Sequence, residues 1–177
     1  MGRPRDADIA DLRALRLGVR IDRPGEIICD FHTAGIDGVH LVRGRIDRSN
    51  VIVSDRYYLA DAKFLVGLAG DPRLLDKLQA ALKHPTWPLY FGRKSCPPSE
   101  RVWLPDGPQD TDLVSALSTY PSLDTHGPPS EYLQLLIEDD IGDMVRNDQP
   151  ISFQPRRYIR RHLRRLFVSN PAYIEEV

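Results

Sequence analysis

Fifteen prolines in 177 residues leave little room for long uninterrupted elements. Each proline fixes φ, removes a backbone donor and disfavours helix in the residue before it. At about 8% of the chain, against a usual ~5%, they predict many joints, short strands and few long helices. One stretch between prolines is explicit. Ala62, Phe64, Val66 and Leu68 alternate with Lys63, Leu65 and Gly67, and most of these are apolar. That pattern predicts a central strand covered on both faces. Gly70-Asp71-Pro72 then opens a helix, with Asp71 as N-cap and Pro72 at its first position. Leu74, Leu75, Leu78 and Leu82 are expected to line its buried face, and Pro85 stops it. A further strand is expected near 88–91, which completes an α+β unit.

The flanking segments are read more coarsely. Residues 6–15 place Ile9, Leu12 and Leu15 on one helical face. Leu17, Val19 and Ile21 then alternate with Gly18, Arg20 and Asp22, a half-buried strand ended by Arg23-Pro24-Gly25. Residues 26–58 read as extended arms, with 39–46 and 51–53 flanking a hairpin tip at 47–50. A short helix is expected over 112–119, a strand or helix over 131–138, and extended chain over 151–153. Beyond Pro155, Ile159, Leu163, Leu166 and Phe167 fall on one helical side, and Arg160, Arg161, Arg164 and Arg165 on the other. This period favours an amphipathic basic helix, although 166–169 also suits a strand.

A formal net charge of −1 conceals a strong asymmetry. Residues 104–150 hold ten acidic side chains and one basic residue, Arg146. Residues 151–168 hold six arginines (Arg156, Arg157, Arg160, Arg161, Arg164 and Arg165) and no acid. Either the two segments pair as a seam, or the basic one meets a polyanion, for which local field matters more than total charge. No apolar run approaches the ~20 residues of a bilayer span, and the start of the chain has no apolar signal core. The length suits a single domain. Cys29 and Cys96 lack C-x-x-C spacing, which argues against a zinc finger or a disulfide scaffold and suits a reducing, cytoplasmic setting.

The sharpest motif is WPLYFGRKSCPP, residues 87–98. Gly92 permits close backbone approach, and the N–H groups, cations and hydroxyl of Arg93, Lys94 and Ser95 can hold phosphate oxygens. The spacing is not that of a P-loop, and a β-turn bearing two solvated cations accounts for the same residues. Asp30-Phe31-His32-Thr33 sets a histidine beside an acid and a hydroxyl, suited to acid–base chemistry or to a structural hydrogen bond. The remaining histidines are scattered without metal-ligand spacing, so neither a metal nor a cofactor is expected.

DFHTAG (30–35), RYYLADAKFLVGL (56–68), LLDKLQAAL (74–82), WPLYFGRKSCPP (87–98) and PISFQPRRY (150–158) occur together in this order. The combination resembles CasD, the fifth Cas protein family in its type I-E form, over nearly the whole chain. The resemblance implies an RNA-recognition-motif-like, ferredoxin-like core of the RAMP type within one domain, 1–177. It also implies a β-hairpin thumb at about 28–58, with a basic segment at about 151–168. It implies a non-catalytic subunit of the Cascade complex that holds the 5′ handle of the CRISPR RNA in antiviral defence. Its partners would be the CasC backbone and the large CasA subunit, with target DNA met indirectly.

The RNA-contacting set implied is Gly92, Arg93, Lys94 and Ser95, with His32 and the thumb arginines Arg43, Arg45, Arg48 and Arg56. The basic segment adds Arg156, Arg157, Arg160 and Arg161, and exposed Tyr57, Tyr58 or Tyr90 would stack bases. Type I-C relatives instead cut repeat RNA without metal, using Tyr, Lys and His side chains, for which Tyr90, Lys94 and His32 are the counterparts to consider. One departure from the pattern is large. Met1-Gly2-Arg3-Pro4-Arg5 begins where the first helix of the family has already ended, so the first strand and helix are expected to be missing. Part of the core should then lack its cover.

Overall fold

In the computed structural model, which describes residues 8–34, 39–40, 46–47, 51–125 and 128–173, the chain forms two units. One is Arg23–Lys63, and the other joins Met1–Asp22 to Phe64–Val177. The elements begin with α1 (Ala10–Arg13), β1 (Arg16–Arg23), β2 (Glu26–Ala34), β3 (Val39–His40), β4 (Ile46–Asp47) and β5 (Ile52–Ala60). There follow β6 (Lys63–Ala69), α2 (Pro72–Lys83), α3 (Leu113–Thr119), β7 (Tyr132–Glu138), β8 (Met144–Phe153) and β9 (Arg156–Ser169).

The larger unit is built on a sheet ordered β6-β1-β7-β9-β8, with β1/β7, β7/β9 and β9/β8 antiparallel. Its covered face carries Leu65, Leu135 and Ile137, against which Leu117 of α3 packs with Leu113, Val114, Leu123, Leu166 and Val168. Gly18 makes that approach feasible. A Cβ there would lie 2.6 Å from Leu117 Cδ1 and 2.7 Å from Ile137 Cδ1, closer than packed carbons sit.

The alternation in β1 is as expected, but its phase is reversed. Gly18, Arg20 and Asp22 face the core, and Leu17, Val19 and Ile21 are only half-buried. The reason is a buried ion pair. Arg20 Nε donates to Asp22 Oδ1 at 2.7 Å and Nη2 to Oδ2 at 2.8 Å. The remaining guanidinium donors meet the carbonyls of Leu117, Tyr120 and Pro121 at 2.6, 2.6 and 2.9 Å, while the Leu123 N–H donates to Asp22 Oδ2 at 2.6 Å. Every donor and acceptor of the pair is used, which is the condition for burying charge.

Three further expectations are corrected. β6 is an edge strand rather than a central one, and Phe64, Val66 and Leu68 stand exposed on the face opposite α3. Residues 156–169 are strand, not helix. Leu163 and Phe167 lie on one face of β9 and Leu166 and Val168 on the other, so burial on two faces imitates helical spacing. Residues 88–91 are loop, in which Pro88 removes a ladder donor and the Phe91 N–H turns back to the Cys96 carbonyl at 2.8 Å. α2 forms with the expected cap, Asp71 Oδ1 accepting from the Arg73 N–H at 3.0 Å. Of its expected buried face only Leu74 is buried, while Leu75 and Leu78 are half-buried and Leu82 is exposed.

The smaller unit is a two-stranded ribbon of β2 and β5. Ile27/Leu59, Cys29/Tyr57, Phe31/Asp55 and Thr33/Val53 share one face, and Ile28/Tyr58, Asp30/Arg56 and His32/Ser54 share the other. β3 pairs with β4, Val39 opposite Asp47 and His40 opposite Ile46. Asp47 is therefore a paired strand residue rather than part of a tip, and the rest of the expected tip, 48–50, lies outside the described residues.

Candidate nucleic-acid interface

Gly92–Ser95 forms a tight exposed loop. It is closed by Phe91 N–H to Cys96 O at 2.8 Å, Cys96 N–H to Arg93 O at 2.9 Å and Arg93 N–H to Phe91 O at 2.9 Å. Gly92 takes φ +75°, where a side chain would be strained, and nothing lies within 4 Å of where its Cβ would stand. Among the described residues, the N–H groups of Gly92, Lys94 and Ser95 and the Lys94 ammonium have no hydrogen-bond partner. Four donors on a glycine turn, with an exposed Arg93 between them, match the chemistry of an oxyanion site. Trp87, Tyr90 and Phe91 beside it are exposed as well. The nearby cations Lys83 and Arg101 are otherwise engaged, since both sit over the Trp103 ring, at 4.9 and 5.5 Å from its centroid.

In the ribbon, His32 Nδ1 lies 3.1 Å from Asp30 Oδ2, and both are about half exposed. Arg56 stands opposite Asp30 in the register, so His32, Asp30 and Arg56 share the polar face. Arg43, Arg45 and Arg48 lie outside the described residues. Tyr90 and Lys94 belong to the sheet unit and His32 to the ribbon unit.

The arginines of β9 are divided by alternation and by acids. Arg161 makes a two-pronged bond to Asp148, Nε to Oδ1 at 2.7 Å and Nη2 to Oδ2 at 2.9 Å. That hydrogen bonding holds the Asp148 carboxyl below the ordinary aspartate range and raises the Arg161 guanidinium. Arg164 pairs with Asp139 at 2.9 Å. Arg156, Arg157 and Arg160 are exposed and make no ion pair among the described residues. The pairing reading thus holds for Arg161 and Arg164, while Arg156, Arg157 and Arg160 are left exposed. Asp148 is the partner that sequence reasoning missed. It sits in a bulge where three steps of β8, from Arg146 to Gln149, oppose two of β9, and a bulge leaves no sequence signature here.

Among the described residues, no group of three or more His, Cys, Asp or Glu is placed to hold a metal ion. No helix among them is long and apolar enough to cross a membrane.

An antiparallel sheet with few helices, joined in the chain to a two-stranded ribbon, defines an α+β protein. Residues 1–168 match the family model described as CRISPR-associated protein (Cas_Cas5), and the chain belongs to that Cas5 family. A solved structure titled "Crystal structure of Cas protein" is similar at 40% identity and TM-score 0.74, over 96% of this chain and 74% of that one. A chain from a "CRISPR RNA-guided surveillance complex" is similar at 30% identity and TM-score 0.76, over 97% of this chain and 74% of that one. The fold class is accordingly the RAMP-type, ferredoxin-like α+β class of these neighbours. No curated protein matches the chain.

Proposed function

We propose that this chain is a non-catalytic, RNA-binding subunit of a type I-E CRISPR surveillance complex of the Cascade kind, holding the 5′ handle of the CRISPR RNA. The observation that carries this reading is the likeness to a chain of an RNA-guided complex, joined to the unpartnered donors of Gly92, Lys94 and Ser95 among the described residues. The loop contacts phosphate through Arg93, Lys94 and the free N–H groups. The ribbon Arg23–Lys63 acts as the thumb, with Arg56 and His32 on its polar face directed to RNA. CasC-type backbone and CasA-type large subunits are the protein partners.

The test separates binder from nuclease. Purified protein in excess, incubated for hours with repeat RNA in EDTA, should bind the RNA and leave it intact. Metal-independent cleavage abolished by His32→Ala would replace this reading with an endoribonuclease, in which the Asp30-held imidazole moves the proton. Absence of any RNA binding would remove the reading altogether.

A further inference from the structure

Residues 156–161 of β9 pair with β8 alone, because β7 reaches only positions 163–169 and the Asp139 N–H beyond it reaches only the His162 carbonyl. This half of the hairpin is a two-stranded ribbon, and alternation sorts its side chains between two faces. On one face lie Arg157, Ile159 and Arg161, and Asp148 neutralises Arg161. On the other lie Arg156, Tyr158 and Arg160, with Phe153 directly across from Arg156. Both rings are 48% exposed, and neither arginine makes an ion pair among the described residues.

At the ordinary strand rise, like-facing neighbours stand ~6.7 Å apart, so a cation, a ring and a second cation follow one another along ~13 Å. Protein–protein interfaces also favour aromatic residues and arginine, but gather them around an apolar core with a polar rim rather than along one alternating row. Single-stranded nucleic acid presents phosphates and flat bases in alternation along one line. A row that alternates charge with aromatic surface complements it at each step.

We propose that Phe153, Arg156, Tyr158 and Arg160 form a second single-stranded RNA subsite, distinct from the Gly92–Ser95 loop. Tyr158 stacks a base, Arg156 and Arg160 neutralise the phosphates on either side, and Phe153 extends the stacking surface. Arg161 takes no part, since its guanidinium is spent on Asp148. This subsite rests on the reading of the chain as an RNA-binding subunit.

The experiment measures binding of a fluorescein-labelled 12-nucleotide single-stranded RNA of mixed sequence to the full chain across a salt series. R156A/R160A should weaken binding and lower the magnitude of the salt slope by roughly 1.4, at about 0.7 per lost phosphate contact. Y158A should weaken binding roughly five- to hundredfold with the slope unchanged, and Y158F should restore it. R93A/K94A serves as the second arm. Wild-type binding by both ribbon variants, with loss in R93A/K94A, would overturn the subsite and leave the RNA-binding reading standing. Failure of the wild type to bind would remove both. Unchanged RNA affinity with lost association to a neighbouring subunit would reassign the face to a protein partner and overturn the proposal.

Discussion

On one face of the sheet Leu135 is fully enclosed and Leu65, Leu133 and Ile137 are 4–6% exposed, whereas on the other Phe64, Val66, Leu68 and Phe167 stand 40–67% exposed. The residue types are nearly the same; the cover is not. α3 and the segment to Leu123 lie over the first face, and Arg20 with Asp22 ties that segment to β1 through four backbone contacts. On the second, Leu17, Val19, Ile21, Phe64 and Leu136 line a shallow groove. Apolar character along a strand therefore states what a face can bury, while coverage depends on what the rest of the chain lays over it.

The comparison predicts that stability resides on the covered face. Arg20→Ala or Asp22→Ala should have the largest effect, each leaving a buried charge without its partner. A loss of about 3–5 kcal/mol by urea unfolding is expected. A loss under about 1 kcal/mol would mean that α3 is held by apolar packing alone. Leu135→Ala should cost about 2–5 kcal/mol through the cavity it leaves. Val66→Ala and Phe167→Ala should change the same measurement far less, since their side chains are already largely in water. Equal costs on both faces would show that the open face is covered in solution. Gly18→Ala comes next, at about 1–3 kcal/mol, because its Cβ would press on Leu117 and Ile137.

The smallest effect lies at the rim of the open groove, where Arg161 meets Asp148. Because hydrogen bonding to Arg161 lowers the Asp148 pKa in the folded protein, this pair stabilises above the unfolded aspartate pKa. The contribution is lost as pH falls through the depressed folded value. Asp148→Asn should flatten that acid limb by no more than the ~1 kcal/mol of an exposed pair, seen as a difference between the two acid titrations of stability.

Much of this architecture was legible where the signal is local. The Asp71 cap, Pro72, the helix to Lys83 and the Asp112-capped α3 follow from side chains within a few residues of the backbone groups they serve. What could not be read needed partners distant in sequence. The phase of β1 depends on carbonyls about a hundred residues away. β9 imitates a helix because β7 and β8 flank it and burial occurs on both faces. In the site, the Gly92–Ser95 loop was legible as a motif. The sorting of the β9 arginines required the register that brings Asp148 to Arg161 and sets Tyr158 between Arg156 and Arg160.

If covered residues hold the fold and exposed cations hold RNA, the two roles should separate in one variant. R93A/K94A alters only exposed side chains of the Gly92–Ser95 loop. The decisive measurement is the salt dependence of handle-RNA binding by this variant in the assembled complex, with its urea midpoint as the control for folding. The account predicts weaker binding, a slope smaller in magnitude by roughly 1.4, and an unchanged midpoint. An unchanged affinity and slope would contradict it.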